Sequence, residues 1–160
     1  MTNTKPNGEA TQEFTLQRIY LKDTSFEAPN TPQIFRAEWQ PEISLELQTH
    51  TESLGEDSYE VVLGVTVTAK LGDKVAFLVE VKQAGVFTIK GFTESQIPEV
   101  LGIACPGILF PYSREVVSSL IAHGTFPQLL LDPINFEGLY RQQQQAAIDA
   151  QQVAETPATH

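Results

Sequence analysis

The chain has 160 residues and a mass of 17.7 kDa, the size of a single domain built on one core. Its 20 Asp and Glu against 10 Lys and Arg give a net charge of -10, which excludes the electrostatics of a nucleic-acid binder, and no run of about 18 apolar residues is present to enter a bilayer. Cys105 is the only cysteine, so an internal disulfide is excluded; with an N-terminus that has no apolar signal core, the expected compartment is the cytoplasm.

Residues 1–13 are polar and read as a flexible tail. From Phe14 the pattern changes: Phe14 and Leu16 alternate with polar residues, and Ile19 and Leu21 then take the opposite phase. That predicts a strand that either carries a bulge or is covered on both faces. Residues 25–41 contain Pro29, Pro32 and Pro41, which exclude regular ladder positions, together with Phe26, Ile34, Phe35 and Trp39. They predict a long, aromatic-rich loop, and loops of that length are usually functional or disordered.

Ile43, Leu45 and Leu47 alternate with polar residues and predict a half-buried second strand. In the third, Tyr59, Val61, Leu63, Val65, Val67 and Ala69 line one face and Glu60, Gly64, Thr66, Thr68 and Lys70 the other. Gly72-Asp73 then separates this run from Val75, Phe77, Val79 and Val81, the signature of a tight antiparallel hairpin. At about 3.3 Å per residue, Tyr59 to Leu71 spans roughly 40 Å, long for a small monomer.

Thr93 followed by Gln96 fits a capping box opening a helix whose apolar face holds Ile97, Val100, Leu101 and Ala104. Pro106-Gly107 predicts an interruption and Pro111 a further break, leaving Val116, Val117, Leu120 and Ile121 for a second helix closed by Gly124. Asp132 and Pro133 suit the cap and first position of a last helix bearing Phe136, Leu139 and Tyr140. Gln142 to Gln145 continue it, and the polar residues 150–160 read as disordered. Four strands followed by helices imply an α+β fold, a four-stranded antiparallel sheet with helices packed on one side.

Chemical motifs are missing. Cys105 has His50 and His123 as distant partners at unspecific spacing, and a buried free cysteine is the commoner outcome. The histidines, His160 included, are too scattered for a metal motif, and no phosphate-binding or nucleophile-elbow pattern occurs. No catalytic residue, metal or cofactor is therefore expected. A site assembled across subunits from Cys105, His50 or His123 is the enzyme alternative.

RIYLKDTSFEAPN at 18–30, WQPE at 39–42, YEVVLGVTVTAKLG at 59–72, CPGILFPYSRE at 105–115 and GTFPQLLLDPINFEGLY at 124–140 resemble the SecB family of protein-export chaperones. The resemblance covers a chaperone domain at 14–141, followed by a polar extension at 142–160. It implies a homotetramer arranged as a dimer of dimers. It also implies an ATP-independent holdase that binds unfolded precursors and delivers them to the SecA motor at the Sec translocon, with no nucleic acid and no membrane insertion. Asp23, Glu27, Leu78 and Glu80 match the family's positions for SecA contact, and Val79, Val81 and Gln83 its positions that affect tetramer assembly. For the client groove, the aromatic loop offers Phe26, Phe35 and Trp39, with Tyr20 and Tyr140 as further walls. A SecB-like chaperone dedicated to one client, such as an antitoxin, is the alternative within the same fold.

Overall fold

The computed structural model describes residues 11–155, so most of the expected N-terminal tail and the last five residues of the polar extension lie outside the described residues. Four long strands form one antiparallel sheet: β1 (Glu13–Glu27), β2 (Glu42–Gly55), β3 (Ser58–Leu71) and β4 (Lys74–Lys90), in the spatial order β1-β4-β3-β2. β3 and β4 are the predicted hairpin, closed by Gly72 at φ 63° and Asp73. The strand after Gln83 was not expected; it continues through Phe87 and Ile89 to Lys90, paired with β3 on one side and β1 on the other.

The phase change in β1 comes from two bulges, with register shifts between Leu16 and Arg18 and between Leu21 and Asp23. An extra residue at each returns the apolar side chains to one face. Phe14, Leu16, Ile19, Leu21 and Phe26 therefore stand opposite Ile89, Phe87, Gly85, Gln83 and Val79. The same face carries Val61, Leu63, Val65, Val67 and Ala69 of β3, all buried, and Leu45 and Leu47 of β2, opposite Val67 and Val65.

Helices cover this face. α1 (Ile97–Glu99), a π-turn (Val100–Ala104) and α2 (Cys105–His123) run on without the expected interruption. Thr93 does accept the predicted role in part: its amide donates to Gln96 Oε1 at 3.0 Å. Pro106 sits in the first turn of α2, next to the π-turn, where a missing amide removes little. Pro111 lies inside α2 and does cost a hydrogen bond. Burial on both sides of it outweighs that loss: Cys105, Leu109, Ser113, Val117 and Ile121 recur at every fourth residue and are all buried, packing on β3 and β4. Buried Ser113 is satisfied by donating to the carbonyls of Leu109, at 3.2 Å, and Phe110, at 3.0 Å. The run Ile97–His123 is apolar enough by composition to cross a bilayer, but its apolar stripe is occupied by the sheet, as in the core helix of a globular domain.

Two helix ends differ from the sequence reading. α2 does stop at Gly124, but Gly124 keeps a helical φ of -74° and the left-handed residue is Thr125, at φ 60°. α3 (Phe136–Glu155) starts three residues later than the Asp132-Pro133 cap, because Asn135 is the cap: its Oδ1 accepts the Gly138 amide at 3.0 Å. The helix reaches Glu155, past the point at which disorder was expected, since Gln and Ala favour helix even without an apolar stripe.

Leu109 is fully buried beneath α2, so Leu109→Ala should cost about 2 to 5 kcal/mol through lost transfer energy and a cavity. Urea unfolding of the two proteins measures this, and a loss below about 1 kcal/mol would contradict the packing described.

Candidate functional site

Five aromatic side chains, from β1, the β1–β2 loop, β4 and the turn after α2, meet at one end of the helix-covered face. Phe77 of β4 is the floor, with no exposed surface. Phe126, just after α2, sits on it with ring centroids 5.2 Å apart, and contacts Phe35 at 5.1 Å, Trp39 at 5.7 Å and Phe26 at 6.4 Å. Phe26 and Trp39 each stack on Phe77 at 6.3 Å. Exposure rises outward, through half-buried Phe26 and Trp39 to Phe35 at 49%. Such ring pairs contribute roughly 0.5 to 1.5 kcal/mol beyond area burial, and Phe35 is the ring left facing solvent.

Local chemistry fixes the loop that supplies these rings. The Asn30 amide donates to the Val75 carbonyl at 2.9 Å, tying the loop to β4, and Thr31 Oγ donates to the Ala28 carbonyl at 2.8 Å. A short 3-10 turn (Gln33–Arg36) buries Ile34 and leaves Phe35 facing out. Gly124 permits the closest approach: a Cβ there would lie 2.5 Å from Phe26 Cζ. The left-handed Thr125 then turns the chain so that Phe126 comes back beneath Phe26, Phe35 and Trp39.

A second apolar feature lies between β2 and α3. This groove, of about 1030 Å³, is lined by Leu45, Leu47, Thr49 and Thr51 on the strand and by Phe136, Leu139 and Tyr140 on the helix. Tyr140 lies flat against the π-turn, where a Cβ on Gly102 would come within 2.6 Å of Tyr140 Cδ2. β2 is an edge strand, so its outer backbone groups have no strand partner.

Of the residues predicted for a client groove, Phe26, Phe35 and Trp39 come together and Tyr140 lines the separate β2–α3 groove. Tyr20 joins neither: it projects from the opposite face of the sheet, paired with Ala84. Its hydroxyl donates to Glu60, which also takes Lys22 Nζ at 2.7 Å, so both bonds reach from β1 across β4 to β3. Hydrogen bonds from Lys22 and then Tyr20 hold the Glu60 carboxyl below the usual carboxylate range, while burial and the bond to Glu60 push Tyr20 up to about 12. Phe126, the ring at the centre of the cluster, was not singled out by sequence reasoning. Its signal was a phenylalanine in the Gly-Thr-Phe-Pro turn, without periodicity around it.

The uncovered face of the sheet carries the other predicted group. Glu27 stands opposite Leu78, Glu80 opposite Ser25, and Asp23 opposite Lys82, so Asp23, Glu27, Leu78 and Glu80 share one face of two adjacent strands. Asp23, Glu27 and Glu80 are exposed and Leu78 half-buried. Val79, Val81 and Gln83 lie on the helix side and are 0%, 1% and 4% exposed, so they touch the protomer's own core rather than a surface. Gln83 is the polar member of that row, opposite Leu63 and Leu21.

Cys105 is fully buried and burial raises its thiol to about 12, which removes it as a nucleophile at neutral pH. His50 is on the open face of the sheet, across from Cys105, and His123 is at the far end of α2, roughly 27 Å away at 1.5 Å per residue. Among the described residues no group of three metal-ligating side chains occurs.

A model of the SecB family, described as the preprotein translocase subunit SecB, matches residues 7–147. Among solved structures, the fold is similar to a Mycobacterium tuberculosis Rv1957 SecB-like chaperone in complex with a ChAD peptide from the Rv1956 HigA1 antitoxin. That likeness has a TM-score of 0.64 at 16% identity and covers 76% of this chain and 90% of the other. A Streptococcus agalactiae protein of unknown function is a more remote match, with a TM-score of 0.39, 11% identity and 77% and 99% covered.

Because Glu60 has a lowered pKa in the folded state, its stabilisation is present above the ordinary carboxylate range and is lost as pH falls through the lowered value. Glu60→Gln should therefore flatten the acid limb of a stability profile. Urea midpoints measured against pH for both proteins give the answer, and identical acid limbs would show that the network does not hold the face together.

Proposed function

The chain belongs to the SecB family, a family of chaperones, and on that premise we propose that it is an ATP-independent holdase. It binds unfolded precursor polypeptides, keeps them competent for translocation and hands them to the SecA motor for export. The observation that carries this reading is the outward-graded aromatic cluster on Phe77 and Phe126, an apolar surface with no chemistry attached. A chaperone that takes up the unfolded state lowers its free concentration and delays folding by mass action alone, with no hydrolysis and no cofactor.

Client side chains enter in two ways. Aromatic and aliphatic residues pack against Phe35, Trp39 and Phe26. An extended segment occupies the groove beneath Tyr140, where the edge of β2 offers backbone donors and acceptors that demand little of client sequence. Tyr20 has no part in this groove; it belongs to the opposite face, where it braces Glu60.

SecA docks on the uncovered face through Asp23, Glu27, Leu78 and Glu80, whose acids steer a basic segment of the motor. Clients and motor thus occupy opposite sides of one sheet and do not compete. The working unit is a homotetramer, a dimer of dimers, in the cytoplasm. Its support is the apolar surface left on the protomer, with Phe14, Leu16 and Leu21 on edge strand β1 each at least 36% exposed. Val79, Val81 and Gln83 influence assembly through the packing of the sheet on α2. The chaperone domain is residues 14–141, and α3 carries the chain on past it to Glu155.

A second reading keeps the fold and narrows the clientele to one protein. The complex of the mycobacterial SecB-like chaperone with an antitoxin peptide favours considering it. Capture of several unrelated unfolded precursors supports the export role, and capture of one alone supports the dedicated role.

Trp39→Ala should weaken binding of an unfolded precursor roughly tenfold, the order lost with one buried aromatic anchor, and leave the oligomer intact. Glu80→Lys should weaken SecA binding while client binding is retained. Titration calorimetry of both variants against a reduced, unfolded precursor and against SecA tests the pair, and unchanged SecA affinity for the Glu80 variant removes the docking assignment.

A further inference from the structure

The uncovered sheet face is not uniformly acidic. Beside Asp23 and Glu80, a shallow trough of about 570 Å³ crosses the strands, with Gly64 and Val62 in its floor and Lys22, Lys82, His50 and Gln48 around it. No carboxylate lines it, in a chain with 20 acids against 10 bases.

Gly64 leaves the floor of the trough without a side chain. It sits in the middle of β3, opposite Lys82 on β4 and Gln48 on β2, with continuous register on both sides and therefore no bulge to explain a glycine. Packing does not demand it either: a Cβ at that position would meet only Gln48 O at 3.6 Å and Gln48 Cβ at 3.9 Å, ordinary contacts. Glycine inside a strand weakens it, and where neither bulge nor bend is present it marks a place where a ligand or another backbone comes close. The surrounding basic side chains are partly held in place. Lys22 is drawn over β4 by Glu60, whereas Lys82 and His50 take part in neither of the ion pairs found among the described residues.

We propose that this trough is a docking site for an acidic segment of a partner polypeptide, laid across the strands with a carboxylate at Lys82 and with His50 and the Glu60-paired Lys22 beside it. A local site of this kind fits one or two carboxylates. The continuous phosphate charge of a nucleic acid would run on past the trough into Asp23 and Glu80. At the edge of β2 the trough meets the β2–α3 groove, since Leu47, Thr49 and Gln143 line both; the proposal does not rest on delivery to SecA. Together with the acidic row beside it, it gives the open face adjacent patches of opposite sign, which fix the orientation of whatever lies on it.

The test is fluorescence anisotropy of a fluorescein-labelled oligoglutamate peptide titrated with the full-length protein at low ionic strength. Lys82→Glu and Gly64→Thr are the variants, with a labelled oligothymidylate as the competing class of polyanion. Saturable oligoglutamate binding is expected, weakened about tenfold by Lys82→Glu. Gly64→Thr fills the trough with a residue that strands favour, so it should keep or raise the urea midpoint while weakening the peptide by a similar factor. No saturable binding by the wild-type protein overturns the proposal. So do variants that bind as wild type, or oligothymidylate binding more tightly than oligoglutamate through the same residues.

Discussion

The pairing of β3 with β4, from Ser58 opposite Thr88 to Leu71 opposite Lys74, is the constraint on which the rest of the structure depends. Side chains alternate along a strand, so this one register sends Val61, Leu63, Val65 and Val67 to the same face as Gln83, Val81 and Val79 and their polar neighbours to the other. A slip of one residue would exchange the two faces along the whole hairpin. α2 can cover only an apolar face, so its position follows, and with it the turn that returns Phe126 to Phe77. The register shift between Ala69 and Lys70 near the hairpin end sets Phe77 opposite Ala69, where a small partner leaves room for the rings above it.

From that one register come two surfaces with different chemistry. The helix side is closed over its centre and ends in an aromatic cluster whose rings become more exposed from Phe77 to Phe35. The other side has no helix on it, keeps charged residues in rows, and is braced by bonds from Tyr20 and Lys22 to a single carboxylate, Glu60. Burial dominates on the first surface and charge on the second. The thickness of the sheet separates the apolar cluster from the charged rows.

Much of this was legible in the sequence. Strict alternation at 59–69 marked the central strand and Gly72-Asp73 marked the hairpin, while the phase change after Leu16 allowed a bulge or a doubly covered strand, and the register shows the bulge. Other features were hidden for physical reasons. The far half of β4 contains Gln83, Ala84 and Gly85, which blur alternation, although Gln83 and Gly85 are buried and Ala84 has no exposed surface. β2 beyond Gln48 is polar because it is an edge strand. Two prolines argued for broken helices, yet a π-turn and a buried stripe kept one continuous run. Tyr20 looked like a groove aromatic because the second bulge, which sets the face of the residues after it, cannot be counted from sequence alone. Asp23, Glu27, Leu78 and Glu80 carry no periodic signal as a docking site; resemblance alone singled them out, and the register then set them on one face.

Light scattering coupled to gel filtration, run on the protein alone and with an unfolded precursor, tests the central claim most directly. The account predicts a species of about four times 17.7 kDa that carries the precursor with it. A monomer that leaves the unfolded chain in its own peak would contradict it.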